Sequence, residues 1–219
     1  MSCAIVIAGA SGVGKTTVAN LILEKCDFSL VRSATTRPPR EDGNYDEYLY
    51  LTREEFLSRV ENGEMLEFTE YGDRLYGTPK SEIERIVSEG KIPLLIVDLS
   101  GVQSFSKKRE EFSHKAFYLY EDINVIEKRL YDRELSQPSP DGLLNFFKRK
   151  QANITDFLRL PELADGFFAF VKNTEAKVAA DAILDAFFER DAVSDPLVSK
   201  GDSLRQLAEK LSESAKAKI

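Results

Sequence analysis

With 219 residues, 42% hydrophobic and 31% charged, the chain is long and apolar enough to bury a core, which excludes a disordered protein. The net charge of −7, from 30 basic and 37 acidic residues, excludes nonspecific nucleic-acid binding through a broad basic face. Apolar runs such as Pro93–Val97 fall well short of the ~18 residues of a membrane span, and no basic segment precedes the first of them, so we expect a cytoplasmic chain without a membrane partner.

Apolar runs alternate with amphipathic helical segments along most of the chain, which is typical of an α/β protein with a mostly parallel sheet. Ala4–Ala8 is predicted to be a strand buried on both faces, followed by a glycine-rich turn and a helix from about Thr16 to Lys25. Three more strands of the same sheet are predicted at Leu94–Val97, Ala116–Tyr120 and Phe167–Val171. The expected core is a three-layer arrangement of helices on a parallel sheet.

Between residues 33 and 90 the pattern changes to the period-2 alternation of strands, carried by Tyr48, Tyr50, Leu66 and Phe68. Gly72 and Asp73 supply a two-residue hairpin turn. We therefore predict a lobe with a small antiparallel sheet, inserted into the core. Thr52 and Glu55 form a predicted capping box, and Pro79 is expected at the first position of a further helix.

After the core strands the chain is predicted to be mainly helical. Helices are expected at 122–134 and 141–160, with Gln137–Pro140 between them, and a last core helix at 174–190. The polar segment 191–202 is typical of a linker to a separate tail helix, for which Ser203 and Gln206 predict a capping box. The predicted organisation is a domain at 1–190, with its core at 1–32 and 91–190, its lobe at 33–90 and a lid at about 129–150, followed by a linker and amphipathic helix at 191–219.

The segment Gly9–Thr16 matches the pattern G-x-x-x-x-G-K-[ST] and lies between a predicted buried strand and a helix. In that context backbone N–H groups and the helix N-terminus surround phosphates, Lys15 contacts the β- and γ-phosphates, and the Thr16 hydroxyl is a ligand for Mg²⁺. The sequence therefore predicts a site for ATP and Mg²⁺. Its residues are Gly9, Ala10, Ser11, Gly12, Val13, Gly14, Lys15, Thr16 and Thr17.

A second group of motifs lies in the inserted lobe. Arg37 and Arg40 flank two prolines, and arginine is suited to bidentate phosphate binding, although a solvated basic turn would have the same composition. Glu67 lies in a predicted strand, where a lone glutamate is usually exposed. Tyr76–Thr78 follows in the second strand of the predicted hairpin.

Together these segments resemble the guanylate kinase family from about Ser2 to Arg190. Six motifs occur in the family's order: Gly9–Thr16, Ser33–Arg40, Glu47–Tyr48, Met65–Glu67, Leu75–Pro79 and Val97–Gly101. The resemblance implies a P-loop kinase that phosphorylates GMP with ATP and Mg²⁺ in purine nucleotide metabolism, with dGMP left open as an acceptor.

The resemblance also assigns roles to single residues. It implies that GMP is bound by Ser33, Arg37, Arg40, Tyr48, Glu67, Tyr76, Thr78 and Asp98. It implies catalytic roles for Lys15, Arg37 and the lid arginines Arg129 and Arg133, and a contact of Asn173 with adenine. A carboxylate at Glu67 suits guanine because guanine presents two adjacent donors, N1–H and N2–H₂, whereas adenine has an acceptor at N1.

The chain departs from the family pattern at four positions, Glu47, Ile96, Ser100 and Glu134, where the family usually has Asp, Asp, Gln and Gly. Whether Lys148 or Arg149 is the third lid cation is left open, as is the choice between monomer and homodimer.

Two alternative functions remain at this point. A non-catalytic guanylate-kinase-like binding module is disfavoured by the intact Gly14, Lys15 and Thr16. A related kinase with another small phosphorylated acceptor is disfavoured by Glu67 together with Tyr48 and Tyr76.

Overall fold

The computed structural model of the chain describes residues 3–25, 27–39, 48–71, 73–108, 111–136, 141–189, 198–201 and 203–218. The strands in this part are β1 (Ala4–Gly9), β2 (Phe28–Leu30), β3 (Ser33–Thr35), β4 (Tyr48–Tyr50), β5 (Met65–Tyr71), β6 (Arg74–Pro79), β7 (Ile92–Ile96), β8 (His114–Tyr120), β9 (Ala169–Lys172) and β10 (Val198–Ser199). The helices are α1 (Lys15–Leu23), α2 (Arg53–Glu61), α3 (Lys80–Ser88), α4 (Leu99–Ser106), α5 (Ile123–Leu135), α6 (Gly142–Leu163), α7 (Ala176–Phe188) and α8 (Ser203–Lys216).

The core is a six-stranded sheet with the order β10, β9, β8, β1, β7, β2. The central strand β1 pairs in parallel with β7 and β8, and only β10 runs antiparallel to its neighbour β9. Ala4–Ala8 is fully buried, and because successive side chains of a strand point to opposite faces, both faces of the sheet are covered. The predicted parallel core and its buried first strand are confirmed.

The core helices match their predicted positions to within a few residues. The largest difference is α6, which ends at Leu163 and contains Pro161, whereas the sequence predicts an end near Leu160. The fixed φ of proline is compatible with a helix, so near the helix end Pro161 removes one hydrogen bond without ending the helix. No helix in the described part of the chain combines the length and apolar character needed to cross a membrane.

The inserted lobe contains a second sheet with the order β4, β3, β6, β5. β5 and β6 form the predicted hairpin, with Tyr71 paired to Arg74, which leaves two residues for the turn; Gly72 itself lies outside the described residues. β6 pairs antiparallel with both β3 and β5, as predicted, whereas β4 pairs in parallel with β3, so the sheet is mixed. Period-2 alternation is the same in both pairing directions and therefore does not determine which one forms.

The lobe has a small core of its own, and α2 begins with the predicted capping box. The Glu55 N–H donates to the Thr52 hydroxyl (3.1 Å) and the Thr52 N–H donates to the Glu55 carboxylate (2.8 Å). Pro79 precedes α3 as its N-cap residue and does not occupy the first helical position that the sequence predicts. The buried residues of the lobe core are Ala34, Phe56, Met65 and Leu75.

A buried ion pair connects the two places where the chain passes between core and lobe. Arg32, between β2 and β3, donates to Glu82 of α3 at 2.8 Å, and Arg85 donates to the same carboxylate at 3.2 Å. Burial disfavours ionisation of Glu82, but these hydrogen bonds outweigh it and lower its pKa to about 2. The carboxylate therefore stays ionised and holds the start of α3 beside the end of β2.

The C-terminal segment is part of the folded core. β10 extends the core sheet, and α8 packs along α6, with Leu204 and Ala208 buried in the main core. The predicted separation of 191–219 from the domain is thus wrong for residues from Val198 onward, because the apolar stripe of the tail helix packs into the main core. Ser203 is the first residue of α8, and its hydroxyl donates to the Lys200 carbonyl (2.8 Å), whereas the predicted capping box places Ser203 just before the helix.

We expect Leu204→Ala to lower the free energy of unfolding by about 2–4 kcal/mol, because it removes a buried side chain from the contact between α8 and the core. Chemical denaturation of the full chain measures this change, and Gln206→Ala, at an exposed position of the same helix, is the matched control. A loss below about 1 kcal/mol for Leu204→Ala would mean that α8 is not part of the cooperative unit.

Candidate functional site

The carboxyl ends of the parallel strands β1, β7 and β9 lie at one edge of the core sheet, which is where ligands bind in such sheets. The phosphate-loop residues Gly9–Thr16 connect β1 to α1 at this edge. Gly12 (φ 87°) and Gly14 (φ 102°) are in the left-handed region that other residues rarely adopt. The Lys15 ammonium donates to the carbonyl oxygens of Gly9 (2.7 Å) and Ala10 (3.1 Å), so its side chain lies across the loop.

Charged groups from three other parts of the chain surround Lys15. Burial lowers the pKa of Lys15 to about 8; Asp156 and Asp98 oppose this shift, while Arg133 and Arg149 add to it. Charged side chains of α5, of α6 and of the segment after β7 therefore interact electrostatically with the Lys15 ammonium.

Asn173 follows β9 and is almost completely buried, with 3% of its surface exposed. Its amide nitrogen donates to the Val13 carbonyl at 2.6 Å, and its Oδ1 has no hydrogen-bond partner among the described residues. A Cβ atom at Gly14 would lie 2.6 Å from the same amide nitrogen, so Gly14 is required for close approach as well as for its φ angle. Asn173 thus supports the phosphate loop, a role that the sequence does not predict, and its contact with adenine stays a prediction.

Glu67 on β5 is buried, with 9% of its surface exposed, and accepts a hydrogen bond from the Thr78 hydroxyl of β6 at 2.7 Å. Burial raises the pKa of Glu67 to about 7; Thr78 opposes this shift, Asp98 adds to it and Lys108 opposes it. The structure therefore places Glu67 and Thr78 in contact, and the Glu67 carboxylate lacks a direct cationic partner among the described residues.

Lys108, just after α4 in the core, contacts the same strand. Its ammonium donates to the Leu66 carbonyl at 2.7 Å, which fixes the backbone directly before Glu67. This contact joins the core to the lobe at the residue next to the buried carboxylate. The sequence analysis missed it, because a lysine in a charged segment after a helix is usually solvated.

Four residues assigned to GMP binding lie on or next to the lobe sheet, namely Ser33, Arg37, Tyr48 and Tyr76. The Arg37 guanidinium lies over the Tyr48 ring, 5.2 Å from its centroid, and Ser33 is paired with Tyr48 in the register of β3 and β4. Tyr76 is paired with Thr35 on the other side of β3. The Arg37 Nε is buried with no hydrogen-bond partner among the described residues, and a buried charged donor of this kind favours an anionic ligand. Arg40 and Glu47 lie outside the described residues.

Asp98 caps α4 at the carboxyl end of β7. Its Oδ1 accepts from the Gly101 N–H at 2.8 Å, and its side chain is exposed at the edge that carries the phosphate loop. Ile96, one of the departures from the family pattern, is half-buried and packs against the main core. At Ile96 the chain therefore has core packing in place of the acidic residue usual in the family.

The helices of the lid contribute three arginines. Arg129 and Arg133 are one turn apart on α5, and the Arg133 guanidinium donates to Glu134 at 2.8 Å. Glu134 also pairs with Arg149 of α6 at 3.2 Å. Because Arg149 is half-buried and acts on Lys15 while Lys148 is exposed, the structure places Arg149 nearer the phosphate loop.

His114 lies at the opposite end of the core sheet, at the start of β8. Its ring stacks on Phe112 at 5.4 Å and lines a cleft of about 960 Å³ with Phe168 and Arg205. The seven residues of β8 separate this end from the phosphate-loop edge by roughly 20 Å. The cleft is therefore distinct from the site at the carboxyl edge.

A family model for guanylate kinases matches residues 1–145, which include the phosphate loop, the lobe and α5. The chain belongs to the guanylate kinase family. It is accordingly a nucleoside monophosphate kinase, as the resemblance implies. It is similar to the guanylate kinase of Clostridium perfringens (strain 13 / Type A), with 34% identity over 182 residues that cover 81% of this chain and 82% of the relative.

A second relative and a solved structure agree with this family. The guanylate kinase of Onion yellows phytoplasma (strain OY-M) is 35% identical over 185 residues, which cover 82% of each chain. The crystal structure of guanylate kinase from Anaplasma phagocytophilum matches with a TM-score of 0.59 at 23% identity, over 95% of this chain and 94% of that chain. This structural likeness confirms the predicted fold class.

Two residues of α6 near the phosphate loop were missed in the sequence. Asn153 bonds to Ser11, and Asp156, three residues later, is a half-buried carboxyl whose pKa burial raises to about 6. A signal was present, because Asn153 falls at helical spacing among the apolar residues Phe146, Phe157 and Leu160. A polar residue in such a stripe marks a buried hydrogen-bonding site.

We expect Glu67→Gln to raise the free energy of unfolding at pH 8 by up to about 3 kcal/mol. The native pKa of about 7 lies above that of the unfolded chain, so this group lowers stability progressively from about pH 4.5 to 7 and has no effect at lower pH. The amide keeps an acceptor for Thr78 without the buried charge. Denaturation at pH 4 and pH 8 measures the difference.

The exposed Glu84→Gln on α3 is the control and should show no such pH-dependent gain. A lower stability of Glu67→Gln at pH 8 would mean that its charge contributes to folding.

Proposed function

We propose that this chain transfers the γ-phosphoryl group of ATP to GMP, and that the buried Glu67 selects guanine. The observation that carries the proposal is the Glu67–Thr78 pair, a buried carboxylate in a lobe beside a phosphate loop. Burying a carboxylate without a cation costs free energy, which a ligand with two adjacent donors offsets.

Guanine recognition follows from the chemistry of this pair. The ionised carboxylate accepts from N1–H and N2–H₂, while Thr78 and Ser33 contribute hydroxyl groups beside it. Adenine would direct its N1 lone pair at the carboxylate. AMP is therefore excluded by repulsion in a site that is too buried for water to screen it.

The GMP phosphate is bound by the aromatic and basic residues of the lobe. Arg37, held over Tyr48, directs a charged donor to it, and Tyr76 adds a hydroxyl donor. Arg40 and Asp98 complete the acceptor site by the family resemblance. These contacts orient the acceptor oxygen toward the donor phosphates.

Donor binding uses the phosphate loop, with Lys15 on the β- and γ-phosphates and the amide groups at the start of α1 around them. In the free protein Lys15 donates to the Gly9 and Ala10 carbonyls, and phosphate oxygens replace these acceptors when ATP binds. The buried Oδ1 of Asn173 is the acceptor available for the amino group of adenine.

Mg²⁺ fits the donor site through the Thr16 hydroxyl, which is exposed in the first turn of α1 beside the phosphate loop. No cluster of three metal-binding side chains exists in the described part of the chain, which agrees with a cation held by one hydroxyl, water and phosphate oxygens. Bound there, the ion would neutralise charge on the β- and γ-phosphates.

In the reaction an ionised phosphate oxygen of GMP forms a bond to the γ-phosphorus of ATP, and the bond from that phosphorus to the β–γ bridging oxygen breaks. The products are GDP and ADP. The acceptor oxygen carries no proton at neutral pH, so positioning and charge neutralisation suffice. Lys15 and Arg37 supply fixed cations.

The lid completes the site by bringing Arg129, Arg133 and Arg149 onto the donor phosphates and excluding water. In the free protein Glu134 pairs with two of these arginines. Closure therefore exchanges the carboxylate partner of these two arginines for phosphate oxygens.

A coupled assay of ADP release with GMP, AMP, CMP and UMP tests the proposed reaction. The same assay on the Glu67→Gln variant tests whether Glu67 selects guanine. The amide places an NH₂ group opposite a guanine donor. The kcat/KM for GMP should therefore fall roughly 30- to 1,000-fold, which corresponds to about 2–4 kcal/mol of transition-state stabilisation, while the kcat/KM for AMP changes little. Equal proportional losses for both acceptors in a folded variant would contradict the role of Glu67. Failure of the wild-type chain to use any acceptor would favour a binding module.

Lys15→Met should abolish turnover and leave GMP binding intact, because the lysine serves donor phosphates and lies in the core, away from the lobe. Loss of one such charge contact costs roughly 100-fold or more in rate. Calorimetry with GMP provides the check, and a variant that no longer binds GMP would refute this division between donor and acceptor sites.

A further inference from the structure

One buried side chain of α6, 142 residues further along the chain, holds the middle of the phosphate loop. Asn153 of α6 has 5% of its surface exposed, and its Oδ1 accepts from the Ser11 N–H at 2.8 Å. Its Nδ2 donates to the Ser11 carbonyl at 2.9 Å. One planar amide therefore binds both backbone groups of the same residue, which fixes the position and the orientation of that peptide segment.

The phosphate loop needs such support because its own backbone is permissive. Gly12 and Gly14, both in the left-handed region, follow Ser11, and glycine loses more conformational freedom than other residues when it is ordered. Asn173 holds the same loop at the Val13 carbonyl. The two amides together fix the segment between β1 and α1 at two points.

The bond to Asn153 also determines which amide groups face a ligand. It engages the Ser11 N–H, whereas the N–H groups of Lys15 and Thr16, at the first turn of α1, have no partner within the helix. A loop fixed at Ser11 keeps these groups, together with the Lys15 side chain, directed at one point. The position of these donor groups matters because a displacement of about 1 Å in a reacting geometry can lower the rate roughly 100-fold.

We infer that Asn153 is a positioning residue of the donor site, which sets affinity for the donor nucleotide through the Ser11 peptide. The inference rests on the proposed binding of donor phosphates by the phosphate loop. α6 also carries Arg149, which pairs with Glu134 of the lid, and α8 packs against it. Asn153 thus attaches the phosphate loop to the helix that continues into the lid.

The experiment compares Asn153→Ala and Asn153→Asp with Gln151→Ala, an exposed amide on the same helix. Calorimetry on the full chain measures binding of ADP with Mg²⁺ and, separately, of GMP. Asn153→Ala should weaken ADP binding roughly 10- to 100-fold and raise the KM for ATP, with GMP binding unchanged. Asn153→Asp should lose at least as much, since its second oxygen repels the Ser11 carbonyl, and Gln151→Ala should behave as wild type.

Proportional losses of ADP and GMP affinity would show a merely structural residue and overturn the inference, as would unchanged ADP affinity in folded Asn153→Ala. Hydrogen exchange on the wild-type chain provides a test that does not depend on a variant folding. The Ser11 amide should be protected despite lying in a loop, and rapid exchange there would also overturn the inference.

Lys15→Met separates this inference from the proposed function. If that variant keeps full ADP affinity, the proposed use of the phosphate loop is wrong. If it loses ADP affinity while Asn153→Ala retains it, only the positioning role fails.

Discussion

The parallel order of the core sheet is the constraint on which the rest of the molecule depends. Because β1, β7, β8 and β9 run in the same direction, the residues that follow them emerge at one edge. The phosphate loop, Asp98 and Asn173 are far apart in sequence, yet this order brings them together. A parallel sheet must be covered on both faces, so its edge is the surface where polar groups can gather without disrupting the core.

Two buried glutamates show how the same side chain serves two purposes. Glu82 has two arginine partners, and its pKa is about 2, so its charge is satisfied within the protein. Glu67 has a hydroxyl partner, and its pKa is about 7, because burial is not offset by an ion pair. The first joins two segments of backbone, whereas the second keeps part of its bonding capacity for a ligand.

Local signals made the fold and part of the site predictable. The phosphate loop was found because its glycines, lysine and threonine are contiguous and lie between a strand and a helix. The family resemblance assigned Glu67 and Thr78 to one site, and the register of the β5–β6 hairpin explains why they are in contact. The parallel pairing of β4 with β3 was not predicted, because period-2 alternation does not encode strand direction.

Contacts between distant segments were not predictable from the sequence. Asn153 and Ser11 are 142 residues apart, and Lys108 and Leu66 are 42 apart, so no local pattern indicates the partner in either bond. β10 has two residues, too few for a period, and its place is set by pairing with β9. These features depend on how complete helices and strands pack.

The shortness of β10 has a consequence for how the protein behaves in a crowded solution. In the part of the chain that the structure describes, one edge of the core sheet is β10, with two residues, and the other is β2, with three. Long open edges offer unpaired backbone groups to strands of other molecules and so promote aggregation. By pairing with the four-residue β9, the C-terminal segment replaces a longer open edge with one of two residues, which limits such pairing.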